Sequence, residues 1–306
     1  MTPSWRPASC QAGARDVAEK LGIRYVLATF HVFGLPSRHF APAARPGKQS
    51  PAGETDNRAL WAHDAERVNA LYAEPLNRGR EAIGLPQIAN VRDHVVTEQP
   101  WLAADPVLAP WQDLTDLDIV QTGAWILPDA RPLPDQLEAF LNSGEPPVYV
   151  GFGSMAMRAS PDLGRVATEA ARANGRRLLL GRGWADLSLT DNRDDCLVVG
   201  DVNHRALFTL VAAVVHHDGA GTTTTAAVAG APQVVVPQIV DQPYWARRVA
   251  ELGIGAAHEG PVPTSGSLAS ALGIALAPET RARATVVAAQ IRTDGATTAA
   301  RRLLES

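Results

Sequence analysis

The chain has 306 residues, of which 46% are hydrophobic and 20% are charged, and its formal net charge is −4 at neutral pH. This composition is typical of a folded globular protein and excludes a disordered chain. The small negative charge, without any block of basic residues, disfavours nucleic acid as a partner. At about 150 residues per domain, the length predicts two domains or one large one.

The cysteine content and the apolar runs predict the compartment. Cys10 and Cys196 are too few for a disulfide framework, so we expect a reducing environment. No apolar run reaches the roughly 18 residues of a membrane span, and the first residues lack the apolar core of a signal peptide. The sequence therefore predicts a cytoplasmic protein that does not enter the membrane.

The region up to about residue 130 is irregular, with few strands and long connections. Its predicted elements in chain order are a helix over 14–21, a strand over 23–30, a mobile loop over 34–53 and a helix over 57–83. Pro75 predicts a kink or a split in the long helix. Prolines then concentrate between residues 126 and 147, which makes this stretch the best candidate for a linker.

From Val148 onward, short apolar strands alternate regularly with helices. The predicted strands are 148–151, 177–180, 196–199, 212–215, 233–236 and 254–257. The predicted helices between them are 161–173, 203–210, 221–229 and 241–252, and further helices fill the rest of the chain. This alternation is typical of an α/β fold whose parallel sheet is covered on both faces.

Ligands of open parallel sheets bind beyond the carboxyl ends of the strands, and the segment 216–225 is the most informative one there. Gly219 and Gly221 permit a tight turn into a helix whose first N–H groups and positive dipole end favour an anion. Thr222 adds a hydroxyl, and His217 can donate to a phosphate oxygen. Since neither a Walker loop nor a Gly-x-Gly-x-x-Gly motif occurs, the standard nucleotide fingerprints do not apply.

Two further strand ends offer polar groups. Ser154 follows Gly151-Phe-Gly153 and can donate a hydrogen bond, although an ordinary tight turn also explains this segment. Asp241 and Gln242 can read sugar hydroxyls as acceptor and donor, with helix capping by Asp241 as the alternative.

Metal binding is weakly indicated. Asp116 and Asp118 have the Asp-x-Asp spacing of metal-dependent sugar transferases, but this triplet is common by chance. Cys196 lies in an apolar run and is expected in the core. We therefore predict no metal site.

Several motifs of this sequence resemble those of a known family, the GT-B glycosyltransferases that act on vancomycin- and teicoplanin-type antibiotic aglycones. The motifs that carry the resemblance are His216-His-Asp-Gly-Ala-Gly-Thr-Thr-Thr224, Gly230-Ala-Pro232, Asp241-Gln-Pro-Tyr-Trp-Ala246, Leu252-Gly-Ile-Gly255, Glu98 to Leu108, Val120 to Trp125, Val148 to Ser154, Gly181 to Trp184 and Asp201 to His204. The resemblance implies two Rossmann-like parallel-sheet domains. It also implies inverting, metal-independent transfer of a hexose or deoxyaminosugar from a UDP- or dTDP-sugar to an aglycone hydroxyl, without a cofactor.

The resemblance also assigns roles to individual positions. The diphosphate contacts fall on His217, Gly219, Ala220, Gly221 and Thr222, and Ser154 would touch a phosphate or the sugar. The backbone of Val202 would read the uracil or thymine edge, and Thr225 would lie near the ribose. Asp241 and Gln242 would hold the sugar hydroxyls.

One part of the family pattern has no counterpart in this sequence. The family's amino-terminal domain begins with a strand and a Gly-rich loop whose Asp is the general base, and we find no such segment. We expect a partial acceptor domain over 1–130, a linker over 131–147, a donor domain over 148–285 and a helix over 286–306 that packs back on the first domain.

Several functions remain open at this point. A truncated amino-terminal domain would pack poorly and turn over slowly, so the main alternative to a monomeric transferase is a donor-binding module with little or no turnover. A nucleotide-sugar epimerase would need a carboxylate cluster that we do not find. A dinucleotide-dependent oxidoreductase is disfavoured by the missing fingerprint.

Overall fold

The computed structural model describes residues 12–43, 51, 53–112, 117–153, 162–183, 191, 193–217 and 219–305. The chain forms two compact units. Unit 1 comprises Met1–Ala104, Pro110–Gly123 and Gly295–Ser306, and unit 2 comprises Asp105–Ala109 and Ala124–Asp294.

The described part of unit 1 contains a small parallel sheet, four α-helices and a short 3₁₀ helix, Val32–Gly34. The strands β1 (Ala28–Thr29), β2 (Trp101–Leu102) and β3 (Val120–Gln121) pair in the order β1-β2-β3. The helices are α1 (Ala12–Leu21), α2 (Asn57–Ala82), α3 (Val91–Val96) and α11 (Gly295–Leu304). A cluster that includes Ala12, Val68, Val91 and Val95 joins the first three helices in one core.

The strand predicted over 23–30 is wrong for most of its length, because only Ala28–Thr29 pairs. The partner strand β2 starts at Trp101, directly after Pro100. The N–H of Trp101 donates to the Leu27 carbonyl at 2.8 Å, and Ile23 to Val26 line an open groove instead of pairing with a strand.

The long helix α2 runs without interruption from Asn57 to Ala82 with Pro75 inside it, so the predicted split is wrong. Proline removes one hydrogen bond to the carbonyl four residues earlier, here that of Leu71. Leu71 is 55% exposed, so this carbonyl can bond to water instead. No helix within the described ranges has both the length and the apolar character that crossing a membrane requires.

Unit 2 is built on a parallel sheet of six strands. They are β4 (Val148–Gly151), β5 (Leu178–Gly181), β6 (Cys196–Val199), β7 (Ala213–His216), β8 (Gln233–Val235) and β9 (Gly255–Ala257). The order in the sheet is β6-β5-β4-β7-β8-β9. The helices are α4 (Asp135–Asn142), α5 (Leu163–Ala173), α6 (His204–Leu207), α7 (Ala220–Val228), α8 (Gln242–Glu251), α9 (Ser265–Ala275) and α10 (Pro278–Ala288).

Both faces of the six-stranded sheet are buried, as the apolar strands predict. Val148 and Val150 pack in one cluster with helices α5 and α9. Tyr149, which lies between them in β4, points into a second cluster on the opposite face with Phe208 and Val214. The alternation along β4 follows the two-residue period of a strand, and the predicted two-sided parallel sheet is confirmed.

Candidate functional site

The carboxyl ends of β4 and β7 lie side by side in unit 2. Val150 pairs with Val215 in the parallel ladder, so the turn after β4 and the turn after β7 leave the sheet at the same edge. These are the segments that start at Gly151 and His216. The predicted glycine turn and the predicted phosphate turn therefore come together.

Helix α7 presents an uncapped amino terminus at this edge. Gly219 is its N-cap with extended backbone (φ −98°, ψ 147°), and it has no side chain to occupy the first N–H groups. The first donated bond inside the helix is from the N–H of Thr223 to the Gly219 carbonyl, at 3.1 Å. The N–H groups of 220–222 donate to no described residue, and such groups together with the helix dipole favour an anion.

The threonine hydroxyls of α7 differ in their availability. Thr223 and Thr225 donate to the carbonyls of Gly219 and Gly221 at 3.1 and 2.8 Å. The hydroxyl of Thr222 makes no hydrogen bond with the described residues and is only partly buried. The Thr222 hydroxyl can therefore donate to a ligand. The Thr225 hydroxyl already donates to Gly221, so it can only accept from a ligand.

His217 stands next to this helix terminus and is partly buried. A Cβ atom on Gly153 would lie 3.5 Å from its Cε1, and its buried Nδ1 has no hydrogen-bond partner in the described chain. Burial lowers the pKa of His217, and nearby Asp241 opposes this shift. The imidazole is therefore neutral at neutral pH, with one nitrogen that donates and one that accepts.

The neighbouring His216 has a structural role. It is fully buried, its Nε2 lies 2.9 Å from Oε1 of Gln233, and burial lowers its pKa to about 3. A neutral ring with Nε2–H donating to the Gln233 amide oxygen satisfies this geometry. Of the two adjacent histidines, His217 is the one placed for ligand contact.

Asp241 lies at the amino end of α8 but does not cap the helix with its side chain. Its Oδ2 instead accepts a hydrogen bond from the indole Nε1 of Trp245, at 3.0 Å. The capping alternative therefore does not describe this residue. The indole orients the carboxylate, whose remaining lone pairs can accept from sugar hydroxyls.

The carboxamide of Gln242 shapes the loop after β8. Its Oε1 accepts from the backbone N–H groups of Gln238 and Ile239 at 2.6 and 3.0 Å. The next residue of that loop, Val240, has a left-handed backbone (φ 54°), which is uncommon for a β-branched residue. The amide oxygen is thus engaged, and the amide nitrogen is the end that can donate to a ligand.

Val202 lies in the turn between β6 and α6. Its side chain is buried, whereas its backbone N–H and C=O make no hydrogen bond with the described residues. Asn203 caps α6 by accepting from the N–H of Ala206 at 3.1 Å. Because the side chain of Val202 is fixed, its backbone N–H and C=O are held in place, and they can donate to and accept from a planar polar group.

A second glycine turn, 181–183, lies at the end of β5, and no role was predicted for it. Gly153 and Gly183 both have left-handed backbones (φ 53° and 52°), and a Cβ on Gly183 would lie 2.5 Å from the Gly153 carbonyl oxygen. The two turns therefore pack directly on each other. The signal was available, because each strand ends in the same Gly-x-Gly spacing.

Two of the residues considered from the sequence, Ser154 and Asp116, lie outside the described residues. In unit 1, potential ligand atoms of Asp16, Glu19 and His94 lie within 4.8 Å of one another. Arg80 bonds to both carboxylates there, and these hydrogen bonds lower the pKa of Glu19. The guanidinium supplies the positive charge, so this cluster is an ion-pair network.

An open groove of about 990 Å³ also lies in unit 1. Its lining includes Ile23 to Val26 before β1 and Val96 to Gln99 before β2, so it borders the amino ends of these strands. Ligands of parallel sheets bind at the opposite ends, and this groove is therefore not the favoured site.

The fold and the site define the class of protein. Two α/β units with parallel sheets, one of which presents an uncapped helix amino terminus at the carboxyl edge of its sheet, are the architecture of a GT-B glycosyltransferase. Solved structures with this fold include the glycosyltransferase of kitacinnamycin, with a TM-score of 0.71, 22% identity, and coverage of 97% of this chain and 74% of that one. Another is VinC in complex with dTDP, with a TM-score of 0.64, 19% identity, and coverage of 97% and 71%. The predicted GT-B fold is confirmed.

Sequence comparison gives the family. Residues 188–301 match the family described as Erythromycin biosynthesis protein CIII-like, C-terminal domain. The chain is 57% identical to glycosyltransferase GtfE of Amycolatopsis orientalis over 94% of its length and 70% of that protein. It is 55% identical to the vancomycin aglycone glucosyltransferase of the same organism, over 96% of this chain and 71% of that protein. The dTDP-epi-vancosaminyltransferase of that organism is 51% identical, over 89% and 65%.

This chain belongs to the family of glycosyltransferases that includes these vancomycin-type glycopeptide enzymes. The resemblance found in the sequence motifs is thereby confirmed. The chain spans about 70% of the length of the first two relatives.

Proposed function

We propose that this chain is a glycosyltransferase that moves a sugar from a nucleoside diphosphate to a hydroxyl of a glycopeptide aglycone. The observation that carries the proposal is the uncapped amino terminus of α7 with His217 beside it, at the carboxyl edge of the sheet. Its relatives of known name are glycosyltransferases, one of them acting on the vancomycin aglycone. We infer that the protein works in the cytoplasm as a monomer.

The leaving group determines what the donor site must do. In an inverting transfer, the acceptor hydroxyl loses its proton to a base or to solvent. Its oxygen forms a bond to the anomeric carbon while the bond from that carbon to the diphosphate oxygen breaks. Negative charge grows on the diphosphate, and preorganised donors there lower the barrier. We assign this task to the N–H groups of 220–222, the Thr222 hydroxyl and His217, without a metal ion or cofactor.

The sugar would lie toward the loop after β8. The carboxylate of Asp241 and the amide nitrogen of Gln242 can accept from and donate to sugar hydroxyls. The names of the relatives include a glucosyltransferase and a dTDP-epi-vancosaminyltransferase, and these support a hexose or a deoxyaminosugar. The VinC structure holds dTDP, which supports dTDP as the nucleotide, with UDP as the other candidate.

The second candidate function is a donor-binding module with little or no turnover. The Asp that the family resemblance gives as the general base matches none of the 306 residues of this chain, which spans about 70% of the length of its first two relatives. General acid–base assistance contributes roughly 10²–10⁴-fold to rate, so loss of that base would leave donor binding without efficient transfer.

A pair of measurements separates the two functions. Calorimetric titration of the chain with dTDP and UDP tests the donor site, and mass spectrometry of vancomycin aglycone incubated with dTDP-glucose and UDP-glucose tests transfer. The transferase predicts nucleotide binding and a glycosylated aglycone, whereas the binding module predicts nucleotide binding alone. A chain that binds neither nucleotide contradicts both.

A further inference from the structure

A buried tyrosine lies beneath the two glycine turns of the candidate site. The Tyr149 hydroxyl occupies the space where a Cβ on Gly151 would stand, and a Cβ on Gly181 would lie 2.5 Å from the same oxygen. Both glycines end strands, β4 and β5. Because these two glycines lack side chains, the phenol of Tyr149 can pass beneath the ends of β4 and β5 toward the segment that follows β6.

The phenol reaches the imidazole of His204. The Tyr149 hydroxyl oxygen lies 3.1 Å from Nε2 of His204, and the imidazole stacks on Phe208 with ring centroids 4.9 Å apart. Burial raises the pKa of Tyr149 to about 12 and lowers the pKa of His204. The phenol is therefore protonated and the imidazole neutral at neutral pH, and Tyr149 donates to Nε2 in the tautomer of His204 that carries its proton on Nδ1.

The acceptor is the first residue of α6, two positions after Val202. The Val202 side chain is buried in the same cluster as Tyr149 and Phe208, so this pair supports the turn from inside. From the other side, Nδ2 of Asn203 donates to the carbonyls of Asp129 and Arg131 at 3.0 and 2.9 Å. The peptide of Val202 is thus held in place by its neighbours, while its own polar groups make no hydrogen bond with the described residues.

The position of this turn fits the far end of a nucleoside diphosphate. From β7, whose end carries the anion site, the sheet order passes through β4 and β5 to β6. Three strand spacings amount to about 14 Å, which is the length scale of an extended nucleoside diphosphate. The glycine turns 151–153 and 181–183, which follow β4 and β5, lie between these two ends.

We propose that Tyr149 is a positioning residue for nucleobase recognition. Through its hydrogen bond to His204, it fixes the position of the Val202 peptide that contacts the base. The proposal rests on the proposed donor site. A residue that only contributes to folding would weaken the binding of the whole ligand. The positioning role instead predicts that loss of the Tyr149 hydroxyl weakens binding of the nucleoside part and leaves binding of the diphosphate part unchanged.

The test compares dTDP with inorganic pyrophosphate on Tyr149→Phe by calorimetric titration. Loss of one neutral hydrogen bond changes affinity by about two- to tenfold. We expect dTDP affinity to fall by that factor and pyrophosphate affinity to stay at the wild-type value. His204→Leu removes the acceptor and should show the same pattern, and the double variant should lose no more than the larger single loss.

The matched control is Thr168→Val, which removes another buried hydroxyl on the opposite face of the sheet, one that donates to the Gly164 carbonyl at 2.8 Å. It should leave both affinities unchanged. Wild-type dTDP affinity in Tyr149→Phe, or equal proportional losses of dTDP and pyrophosphate, would overturn the inference. If Tyr149→Phe does not fold, His204→Leu carries the same comparison. A wild-type chain that binds neither ligand would contradict the proposed function itself.

Discussion

Gly183 packs on the carbonyl oxygen of Gly153 so closely that a Cβ on Gly183 would lie 2.5 Å away. The backbone of Gly183 is also left-handed (φ 52°), a conformation that costs other residues about 1–2 kcal/mol. This contact joins the turns after β4 and β5 into one surface. The surface lies between the anion site and the Val202 turn.

Gly183→Ala is therefore expected to lower the free energy of unfolding by at least about 1 kcal/mol and to weaken dTDP binding. Urea denaturation and calorimetric titration measure the two effects. Gly266→Ala, at the start of α9, is the matched control, because a Cβ there meets nothing within 4 Å and its backbone is not left-handed. Unchanged stability and affinity in Gly183→Ala would show that the turns tolerate a side chain.

Asp241→Asn tests the sugar contact. An asparagine oxygen can still accept from the Trp245 indole, which now lies 3.0 Å from the carboxylate, but it lacks the negative charge. A hydrogen bond to a charged group contributes about 1.5–3 kcal/mol, so affinity for dTDP-glucose should fall at least tenfold while affinity for free dTDP stays the same. Glu251→Gln, at the other end of α8, is the control. Parallel losses for both ligands would place Asp241 outside the sugar site.

The ion-pair network of unit 1 predicts a large stability effect. The Arg80 side chain is 2% exposed and bonds to Asp16 and Glu19, so Arg80→Met leaves two carboxylates without their cation. Removing one partner of a buried ion pair costs about 3–5 kcal/mol. Arg78→Met, whose side chain is 73% exposed and pairs with Glu74, should cost less than about 1 kcal/mol. Urea denaturation that gives equal losses for both variants would contradict the structural role of Arg80.

His216 predicts a pH dependence of stability. Burial lowers its pKa in the folded chain from 6.5 to about 3, so below 6.5 the unfolded chain binds a proton that the folded chain does not. The free energy of unfolding should therefore fall as the pH is lowered from about 6.5 to 5, with His216 contributing up to about 1.4 kcal/mol per pH unit. His216→Asn should show a shallower slope in urea titrations at pH 5, 6 and 7. An identical slope would mean that His216 does not titrate on unfolding.

The sequence predicted the parts of unit 2 that depend on local pattern. The strands around Val150 and Val215 are apolar because both faces of the sheet are buried, and this burial is visible in composition. The turn from His216 to Thr225 was found because glycines and hydroxyls before a helix favour an anion. Unit 1 was harder to predict, since β1 pairs over only two residues and its partner Trp101 lies far from Ala28 in the sequence.

Side-chain partners could not be predicted from the sequence. Asp241 was expected either to bind sugar or to cap α8, and only the structure shows its bond to Trp245. Tyr149 and His204 are 55 positions apart and meet because β4 and β6 share a sheet. Such contacts depend on the tertiary arrangement of the strands, which residue spacing does not encode.

His217→Ala tests the donor site most directly, through the dissociation constant of dTDP measured by calorimetry. His63→Ala, on α2 in unit 1, is the matched control. Loss of a hydrogen bond to a charged phosphate should weaken dTDP binding by about 1.5–3 kcal/mol, or at least tenfold, while the control keeps the wild-type affinity. Wild-type dTDP affinity in His217→Ala would contradict a diphosphate site at the amino end of α7.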